Sequence, residues 1–436
     1  MSVGTKGRKW FGLIGSSVLG LSILQSFIYA PQANAADPAP VDLKLQASAA
    51  IIMEASTGQV LYELNADQLL PPASMSKMMS EYIVMETIKA GKIKWEDVVT
   101  ASQYAADVIG SGDLLAKGEK STVKDLFGAM SIYSGNDATV ALAEYVASTE
   151  ENFVKMMNET AKKMGFNPKS QFINSTGLSR ADVGKYQPAG PTGETIITAR
   201  DAALLAYHIL NEHKEILEFS SIPAKKFRER DKDPMINWNW MLEGNKDNIN
   251  FRKYSYPGLD GLKTGHTDEA GYCFTGTAVK DGMRLITVVM NTPSMDARFV
   301  ETRKLLDYGF NNFEKKTVLE AKSEIETLKT VNIKKGVKTT VGVVTEGGLD
   351  FIVKKGEKPN IEMTAAPNED IKSAPIKTGD VLGKATVKYA GAEKQVNLVA
   401  TADVDKGSWI RLFFRAIKNF FADIFSGIAN GIKGLF

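Results

Sequence analysis

Residues 270–292 read AGYCFTGTAVKDGMRLITVVMNT, which is two runs of β-prone residues around the turn Lys280-Asp281-Gly282. Asp-Gly between two such runs is a strong short-range signal for a β-hairpin. A second pair of β-prone runs, SAAIIMEASTGQVLYELN, occupies residues 48–65. Helical patterns separate the two hairpins, so the sequence predicts a mixed α/β domain of the α+β type with one antiparallel sheet.

The segments between and after the hairpins show helical periodicity. Helical patterns dominate about 122–164 and 198–219, and a further helix is predicted over 297–313. We therefore assign residues 36–312 to one domain, an antiparallel sheet with a helical cluster. The first predicted helix follows a Pro-Pro pair, and its apolar residues are Met75, Met78, Met79, Tyr82, Ile83 and Ile88.

Beyond residue 312 the composition changes to short β-prone runs separated by glycine and lysine, such as TTVGVVT at 339–345. This pattern predicts a small all-β domain over 313–404. A Lys-Thr-Gly tripeptide occurs there at 377–379, where Gly379 and Asp380 form a predicted turn between two strands. We expect no catalytic role for this copy.

The tail at 405–436 is predicted to form an amphipathic helix. At about 100° per residue its large apolar side chains fall in an arc of about 140°, with Leu412 as the exception. A Phe-rich arc, a mostly cationic opposite face and Trp409 predict a helix lying in a membrane surface, and packing on the protein's own core is the alternative. The arc contains Ile410, Phe413, Phe414, Ile417, Phe420, Phe421, Ile424, Phe425, Ile428, Ile432 and Leu435.

Residues 1–35 have the features of an export signal. Basic residues at 6–9 precede an apolar run from 10 to about 30, and Ala-Asn-Ala at 33–35 matches an A-x-A cleavage site. The run is also long enough for an uncleaved membrane span. The small residues at the site favour cleavage, so the sequence predicts an exported protein.

Composition excludes several classes of function. A net charge of +2 gives no reason to expect nucleic-acid binding. The single cysteine, Cys273, excludes an intrachain disulfide and a multi-cysteine metal site. His208 and His213 are five residues apart, whereas two metal ligands on one helix face are four apart. We therefore expect neither a metal nor a cofactor.

Two Ser-x-x-Lys motifs are candidates for a nucleophile with an adjacent base, Ser74 to Lys77 and Ser121 to Lys124. The first opens the predicted helix, so Ser74 and Lys77 would lie about one turn apart on one face. An N-cap serine followed by a solvated lysine is the alternative. A capping box beginning at Thr122 accounts for the second motif without catalysis.

Two further motifs follow in chain order. Ser134 and Asn136 form the only Ser-x-Asn of the sequence, for which a polar turn with an Asn cap is the alternative. Lys263, Thr264 and Gly265 form a Lys-Thr-Gly that directly precedes the hairpin quoted above. The order and context of the three motifs are more specific than any one of them.

The ordered set resembles that of the penicillin-recognising serine enzymes, with motifs S-x-x-K, S-x-N and K-T-G. Similarity to the low-molecular-mass penicillin-binding proteins that act as D-alanyl-D-alanine carboxypeptidases extends over essentially the whole chain. It is carried by LLPPASMSKMMS at 69–80, YSGNDATVALAEYVA at 133–147, FINSTGL at 172–178 and DGLKTGHTDEAGYCFTGTA at 260–278.

This resemblance implies a DD-peptidase/β-lactamase-like catalytic domain that acts on peptidoglycan stem peptides ending in D-Ala-D-Ala. It also implies covalent inhibition by β-lactams. Together with the predicted export signal and tail helix, it implies a location on the outer face of the bacterial cytoplasmic membrane, with the helix on the membrane surface.

A serine hydroxyl needs an adjacent base to act as a nucleophile. Lys77 is the base available to Ser74, provided that burial or a nearby cation keeps its amine neutral. The resemblance implies that Lys263 is this cation. It further implies that Ser134 relays a proton between the lysines and the leaving amine, and that the Asn136 amide holds the substrate's peptide group.

The resemblance also implies an oxyanion hole formed by the backbone N–H groups of Ser74 and His266. Gly265 would let the strand approach the substrate closely. Thr264, with the lysine of its motif, would contact the substrate's terminal carboxylate, and Arg298 matches in position an arginine for that anion. A surface histidine and a solvated arginine at a helix start are the alternatives.

Two other functions stay open at this point. A class A β-lactamase shares the first and third motifs, but it has Ser-Asp-Asn where Gly135 stands here, and it deacylates through a glutamate. Glu194 lies in the corresponding interval without a Glu-x-x-Leu-Asn pattern. The other alternative is a catalytically weak envelope protein whose β-domain and tail organise partners at the membrane.

Overall fold

The computed structural model describes residues 41–112, 115–187, 189–370, 372–389 and 392–433. The predicted export signal at 1–35 lies outside these residues. The strands of the first domain are β1 (Ala49–Glu54), β2 (Val60–Leu64), β3 (Val98–Thr100), β4 (Lys120–Thr122), β5 (Ala224–Lys225), β6 (Met235–Ile236), β7 (Leu259–Thr267), β8 (Gly271–Lys280) and β9 (Met283–Thr292).

The central sheet has five antiparallel strands in the order β2-β1-β9-β8-β7. Both predicted hairpins are confirmed as β1–β2 and β8–β9, and the pairing of β1 with β9 joins them. Strand β7, which carries the first Lys-Thr-Gly, pairs with β8 and forms one edge of the sheet. The third motif therefore lies on an edge strand that is open to other elements.

Both faces of the sheet are buried. Ile51 and Val288 belong to the hydrophobic core shared with the helical cluster, whereas Ile52 and Leu285 pack with Phe299 in a second core. Successive side chains of a strand point to opposite faces, so two cores require apolar residues at consecutive positions. This explains the nearly continuous apolar run in the hairpin that opens the sequence analysis.

The predicted helical segments of the first domain are confirmed, but two short helices, Gln103–Asp107 and Arg180–Val183, lie outside them. Residues Ala73–Ser76 form a 3-10 turn before the first α-helix, and Ala129–Tyr133 form a π-helical turn. The predicted cap at Thr122 is confirmed, since its hydroxyl accepts a hydrogen bond from Asp125 N. The α-helices are α1 (Lys77–Lys89), α2 (Gln103–Asp107), α3 (Val123–Gly128), α4 (Asn136–Ala147), α5 (Glu150–Met164), α6 (Arg180–Val183), α7 (Ala199–Glu212), α8 (Leu217–Ser220) and α9 (Met295–Asn312).

The following region is all-β, as the sequence predicts. One antiparallel sheet has the order β11-β12-β16-β15-β14, and β10 pairs separately with β13 around the same core. These strands are β10 (Phe313–Leu319), β11 (Thr330–Asn332), β12 (Thr340–Thr345), β13 (Leu349–Lys354), β14 (Glu362–Pro367), β15 (Val381–Tyr389) and β16 (Ala392–Ala400).

The second Lys-Thr-Gly is the turn that the sequence predicts. Asp380 N donates to Lys377 O at 2.9 Å, and Gly379 has the left-handed φ of +91° that favours glycine. The Lys377 ammonium forms an exposed ion pair with Asp403 at 2.9 Å. This copy therefore belongs to the surface of the β-domain.

The tail forms the long helix α10 (Trp409–Lys433). In the described part of the chain, no helix combines the length and the apolar character needed to cross a membrane. Leu412, the exception on the helical wheel, is half-buried, and its side chain lies beside Gly407. Arg415 donates to Gly336 O and Val337 O at 2.9 and 3.1 Å, so this side chain attaches the helix start to the β-domain.

Candidate active site

Ser74 lies in the 3-10 turn that leads directly into α1. The preceding Ala73 has a φ of +47°, a conformation that is costly for a residue with a Cβ. Gly177 packs against this turn so closely that a Cβ there would lie 2.0 Å from Ala73 O. The loop of the FINSTGL segment therefore holds the nucleophile turn from one side.

Lys77 is completely buried and forms three hydrogen bonds at its Nζ atom. The partners are Ser74 Oγ at 2.9 Å, Asn136 Oδ1 at 2.7 Å and Thr176 O at 2.9 Å. The alternative of a solvated lysine behind an N-cap serine is wrong, because Lys77 is buried and the N-cap residues of the turn and of α1 are Pro72 and Ser76. Thr176 O is a contact that the sequence analysis missed.

The second motif connects the π-helical turn to α4. Ser134 adopts the left-handed conformation at a φ of +64°, and Asn136 is the first residue of α4. The Asn136 amide accepts from Lys77 and donates to Ile109 O at 2.6 Å. One N–H of the amide is thus bonded to the chain itself, and the expected contact with a substrate peptide group would use the second N–H.

Strand β7 brings the third motif against the first two. Lys263 Nζ donates to Ser134 Oγ at 2.9 Å and to Thr264 O at 3.0 Å, and the lysine is buried. A Cβ on Gly265 would lie 2.4 Å from Pro72 O, so only glycine allows this approach to the nucleophile turn. The fold therefore gathers all three motifs predicted from the sequence.

Burial controls the charge of both lysines. It lowers the pKa of Lys77 well below its ordinary value, and the positive charge of Lys263 lowers this pKa further. Burial also lowers the pKa of Lys263, to about 8. The buried Glu81 acts in the opposite direction and raises the pKa of Lys263. The sequence analysis missed Glu81, although its position four residues after Lys77 on the same helix was a usable signal.

A cleft of about 210 Å³ opens above the motifs. Trp238, Ser111 and Met295 are lining residues that the sequence analysis missed. Ser111 and Trp238 both donate to Tyr133 O, at 2.7 and 3.1 Å, which fixes one wall. The lining consists of Ser74, Ser111, Ser134, Trp238, Thr264, Gly265, His266, Met295 and Arg298.

Arg298 and His266 both line this cleft but differ in burial. The Arg298 side chain is only 2% exposed, so a solvated arginine at the start of α9 is excluded. Its Nε has no hydrogen-bond partner among the described residues, and burial lowers its pKa to about 10. His266 is exposed, stacks on Tyr272 at 4.0 Å between ring centroids, and its Nδ1 lies 3.0 Å from Gly271 O.

The other candidates lie elsewhere. Lys124 is exposed on α3, and Lys377 is in the β-domain turn. Glu194 is not part of the cleft lining, and its carboxylate instead accepts from Arg180 N at 2.9 Å. Over the described residues no group of three or more His, Cys, Asp or Glu side chains could hold a metal ion.

Comparison with known proteins matches both the catalytic domain and the β-domain to known families. The D-alanyl-D-alanine carboxypeptidase family of peptidases matches residues 32–294, and the C-terminal domain of penicillin-binding protein 5 matches 313–406. D-alanyl-D-alanine carboxypeptidase DacF of Bacillus subtilis is 34% identical over 93% of this chain and 97% of its own length.

Solved structures agree with the sequence relatives. The peptidoglycan synthesis regulatory factor PBP3 of Streptococcus pneumoniae has a TM-score of 0.74 at 29% identity, over 83% of this chain and all of that one. Ampicillin-bound penicillin-binding protein D2 of Listeria monocytogenes has a TM-score of 0.50 at 33% identity, over 62% of this chain and all of that one. The chain belongs to the D-alanyl-D-alanine carboxypeptidase family of serine peptidases.

Proposed function

We propose that this chain removes the terminal D-alanine from peptidoglycan stem pentapeptides through an acyl-enzyme on Ser74. Lys77 is the base that activates Ser74. Lys263 and Ser134 deliver a proton to the leaving amine. Asn136 and Thr176 position Lys77. The family membership supports the reaction, and the hydrogen bonds around the two lysines support the assignment of these roles.

The arrangement of acceptors around Lys77 carries the proposal. A neutral amine has two N–H donors and one lone pair. Asn136 Oδ1 and the Thr176 carbonyl oxygen act only as acceptors, so they engage the two N–H groups of the neutral amine. The lone pair is then left for the hydroxyl proton of Ser74, 2.9 Å away. Lys77 is thus arranged to receive the proton that Ser74 loses.

In the acylation step Ser74 Oγ attacks the carbonyl carbon of the penultimate D-alanine, and its proton passes to Lys77. The backbone N–H groups of Ser74 and His266 stabilise the oxyanion that develops. Collapse of this intermediate breaks the peptide bond. The departing nitrogen takes a proton relayed through Ser134 from the lysines, and D-alanine leaves. Water then hydrolyses the Ser74 ester and restores the hydroxyl.

The substrate's terminal carboxylate distinguishes a carboxypeptidase from other peptidases. Arg298 offers a buried guanidinium at the cleft wall whose Nε has no partner in the described part of the chain, and Thr264 and Lys263 lie on strand β7. A charge-assisted bond between this guanidinium and a carboxylate is stronger than a neutral one. We assign Arg298, Thr264 and Lys263 to binding of that carboxylate.

The experiment that tests this function incubates the protein with a peptide ending in D-Ala-D-Ala and measures released D-alanine. We expect release by the wild type and none by Ser74→Ala. A wild type that releases no D-alanine yet folds normally would contradict the proposal and favour a scaffold role.

β-Lactams are expected to acylate Ser74 in the same cleft, as the ampicillin-bound Listeria relative supports. We expect hydrolysis of the β-lactam acyl-enzyme to be slow, because Glu194 and every other glutamate of the described chain are absent from the cleft lining, whereas class A β-lactamases deacylate through a glutamate. Labelling with a fluorescent penicillin followed over time tests both points. Rapid loss of the label would favour a β-lactamase.

We further propose that the protein is exported and that α10 lies on the outer surface of the cytoplasmic membrane. The sequence at 1–35 supports export. Large apolar side chains of α10 face solvent, including Phe414 at 64% and Phe425 at 70% exposure, which disfavours packing on the protein's own core. Deleting 407–436 should give a protein that is soluble without detergent and still active on a small peptide.

A further inference from the structure

Glu150 is a buried carboxylic acid that the proposed mechanism does not use. It is the first residue of α5, is only 5% exposed and does not line the cleft. Its Oε1 accepts from Ser175 N at 2.9 Å and from Ser175 Oγ at 2.5 Å. Its Oε2 accepts from Tyr104 OH at 2.7 Å. Three donors and a helix N-terminus stabilise this buried group, and two of the three donors belong to one residue.

Helix α1 holds the same short segment by its carbonyl groups. Ser80 Oγ, which lies one turn after Lys77, donates to Ser175 O at 2.7 Å. Lys77 Nζ donates to the next carbonyl, Thr176 O, at 2.9 Å. Residues 175 and 176 are completely buried. The segment is therefore fixed between the start of α5, which binds the Ser175 N–H, and α1, which binds both carbonyl oxygens.

The neighbouring Asn174 shapes the loop from within. Its Oδ1 accepts from Thr176 N at 3.2 Å and from Gly177 N at 2.7 Å, and its Nδ2 donates to Leu178 O at 2.8 Å. These bonds stay inside residues 174–178. The bonds of Ser175, in contrast, tie the loop to α1 and α5, and they act on the residue directly before Thr176.

The position of Thr176 O decides how the Lys77 amine is oriented. Thr176 O and Asn136 Oδ1 engage the two N–H groups of the neutral amine, and the lone pair then faces Ser74. An amine that lost one acceptor could turn about its Cε–Nζ bond and donate an N–H to Ser74 Oγ instead. In that orientation it cannot accept the hydroxyl proton.

We propose that Glu150 is a positioning residue that holds the Thr176 carbonyl in place through Ser175 and so keeps the Lys77 lone pair directed at Ser74. This inference rests on the proposed role of Lys77 as the base. Because Glu150 lies outside the cleft lining, it acts on the rate of proton transfer and not on the binding of substrate or inhibitor.

The test separates the acylation rate constant from the dissociation constant of the non-covalent complex. The whole chain is labelled rapidly with increasing concentrations of a fluorescent penicillin. Glu150→Met removes both acceptor oxygens and keeps a side chain of similar length. Its acylation rate constant should fall about 10- to 100-fold, since a displacement of about 1 Å at reacting groups can cost about 100-fold. The dissociation constant should stay within about twofold of the wild-type value, because no lining residue changes.

Two variants serve as controls. Glu150→Gln keeps a carbonyl oxygen for Ser175, and its NH₂ group can donate to the Tyr104 hydroxyl oxygen. It should acylate within about threefold of the wild-type rate, because the bonds to Ser175 are retained. Tyr104→Phe removes only the hydrogen bond to the other carboxylate oxygen, so it should lower the thermal midpoint and leave the acylation rate constant unchanged.

A purely structural role of Glu150 would lower the thermal midpoint and the fraction of protein that is labelled, but not the acylation rate constant of the folded fraction. An unchanged rate constant in Glu150→Met would therefore overturn the proposal. Equal losses of rate in Glu150→Met and Tyr104→Phe would overturn it as well.

If Glu150→Met does not fold, Ser175→Ala decides, because it deletes one oxygen atom and with it the 2.5 Å bond to Glu150. Its acylation rate constant should fall about 3- to 10-fold at an unchanged dissociation constant. A wild-type rate constant in Ser175→Ala would contradict this inference alone. A wild type that is not labelled on Ser74 would contradict the proposed function, and this inference with it.

Discussion

Gly265 of the edge strand packs against Pro72 at a distance that excludes any side chain. A Cβ at this position would lie 2.4 Å from Pro72 O and 3.1 Å from Met75 N. Both neighbouring atoms are backbone of the turn that carries Ser74, so neither can move without moving the nucleophile. This contact fixes the position of strand β7 relative to the start of α1 at the active site.

Gly265→Ala should therefore damage acylation more than folding. The strand and the nucleophile turn must separate to admit a methyl group, and a displacement of about 1 Å at reacting groups can cost about 100-fold in rate. The measurements are the rate of penicillin labelling and the thermal midpoint. Gly347→Ala is the matched control, because no atom lies within 4 Å of the Cβ position there. Equal labelling rates in the two variants would contradict the assigned contact.

Ser74→Ala should abolish both D-alanine release and penicillin labelling, because no other described hydroxyl lies 2.9 Å from Lys77 Nζ. Ser121→Ala removes the serine of the other Ser-x-x-Lys motif and should leave labelling intact. The helix cap next to it belongs to Thr122, so the stability cost should stay below the roughly 0.5 to 2 kcal/mol of a lost cap. Retained labelling of Ser74→Ala would refute the nucleophile assignment.

Lys263→Ala and Lys377→Ala compare the two Lys-Thr-Gly copies. Lys263 donates to Ser134 within the buried site, and its loss should reduce acylation by about 100-fold or more, the usual size of a general acid–base contribution. Lys377 forms an exposed ion pair with Asp403 on the surface of the β-domain, so Lys377→Ala should label at the wild-type rate. Equal loss of activity in the two variants would show that the wrong copy was assigned.

Arg298→Gln should weaken the recognition of a free carboxylate. Removing a charge-assisted bond should lower kcat/KM for a peptide ending in D-Ala-D-Ala by about 10- to 100-fold. The same peptide with a C-terminal amide provides the control, since it lacks the anion and should be a poor substrate for wild type and variant alike. An equal loss on both peptides would indicate that Arg298 acts through the fold instead.

Phe414→Asp with Phe421→Asp tests the membrane proposal. The two side chains are 64% and 54% exposed on the apolar arc of α10. Each phenylalanine is worth roughly 1.5 to 3 kcal/mol of transfer, so losing both should shift partitioning by about two orders of magnitude or more. Liposome flotation at a salt concentration that screens the basic face measures this shift.

Asn419→Asp adds one negative charge to the opposite face of the same helix, and it should leave flotation nearly unchanged. If the double Phe variant still floats with lipid at the same salt concentration, the helix is not the anchor.

Local patterns in the sequence were sufficient for much of this protein. The hairpin turn at 280–282, the Thr122 cap and the turn at 377–379 each depend on residues only a few positions apart. The order of the three motifs could be read in the same way, and the resemblance that they carry identified the family. Such features need no knowledge of the chain path, because turn and cap preferences are properties of neighbouring residues.

Only the tertiary structure decided which groups meet. Thr176 O reaches Lys77 across 99 residues and Ser134 reaches Lys263 across 129, and no local pattern reports either contact. A glutamate at position 81 would be expected on the exposed face of an amphipathic helix. In the structure α1 is buried on nearly all sides, and Glu81 with it. Its charge, like that of the lysines, depends on how completely the surrounding segments exclude water, and that property belongs to the folded chain as a whole.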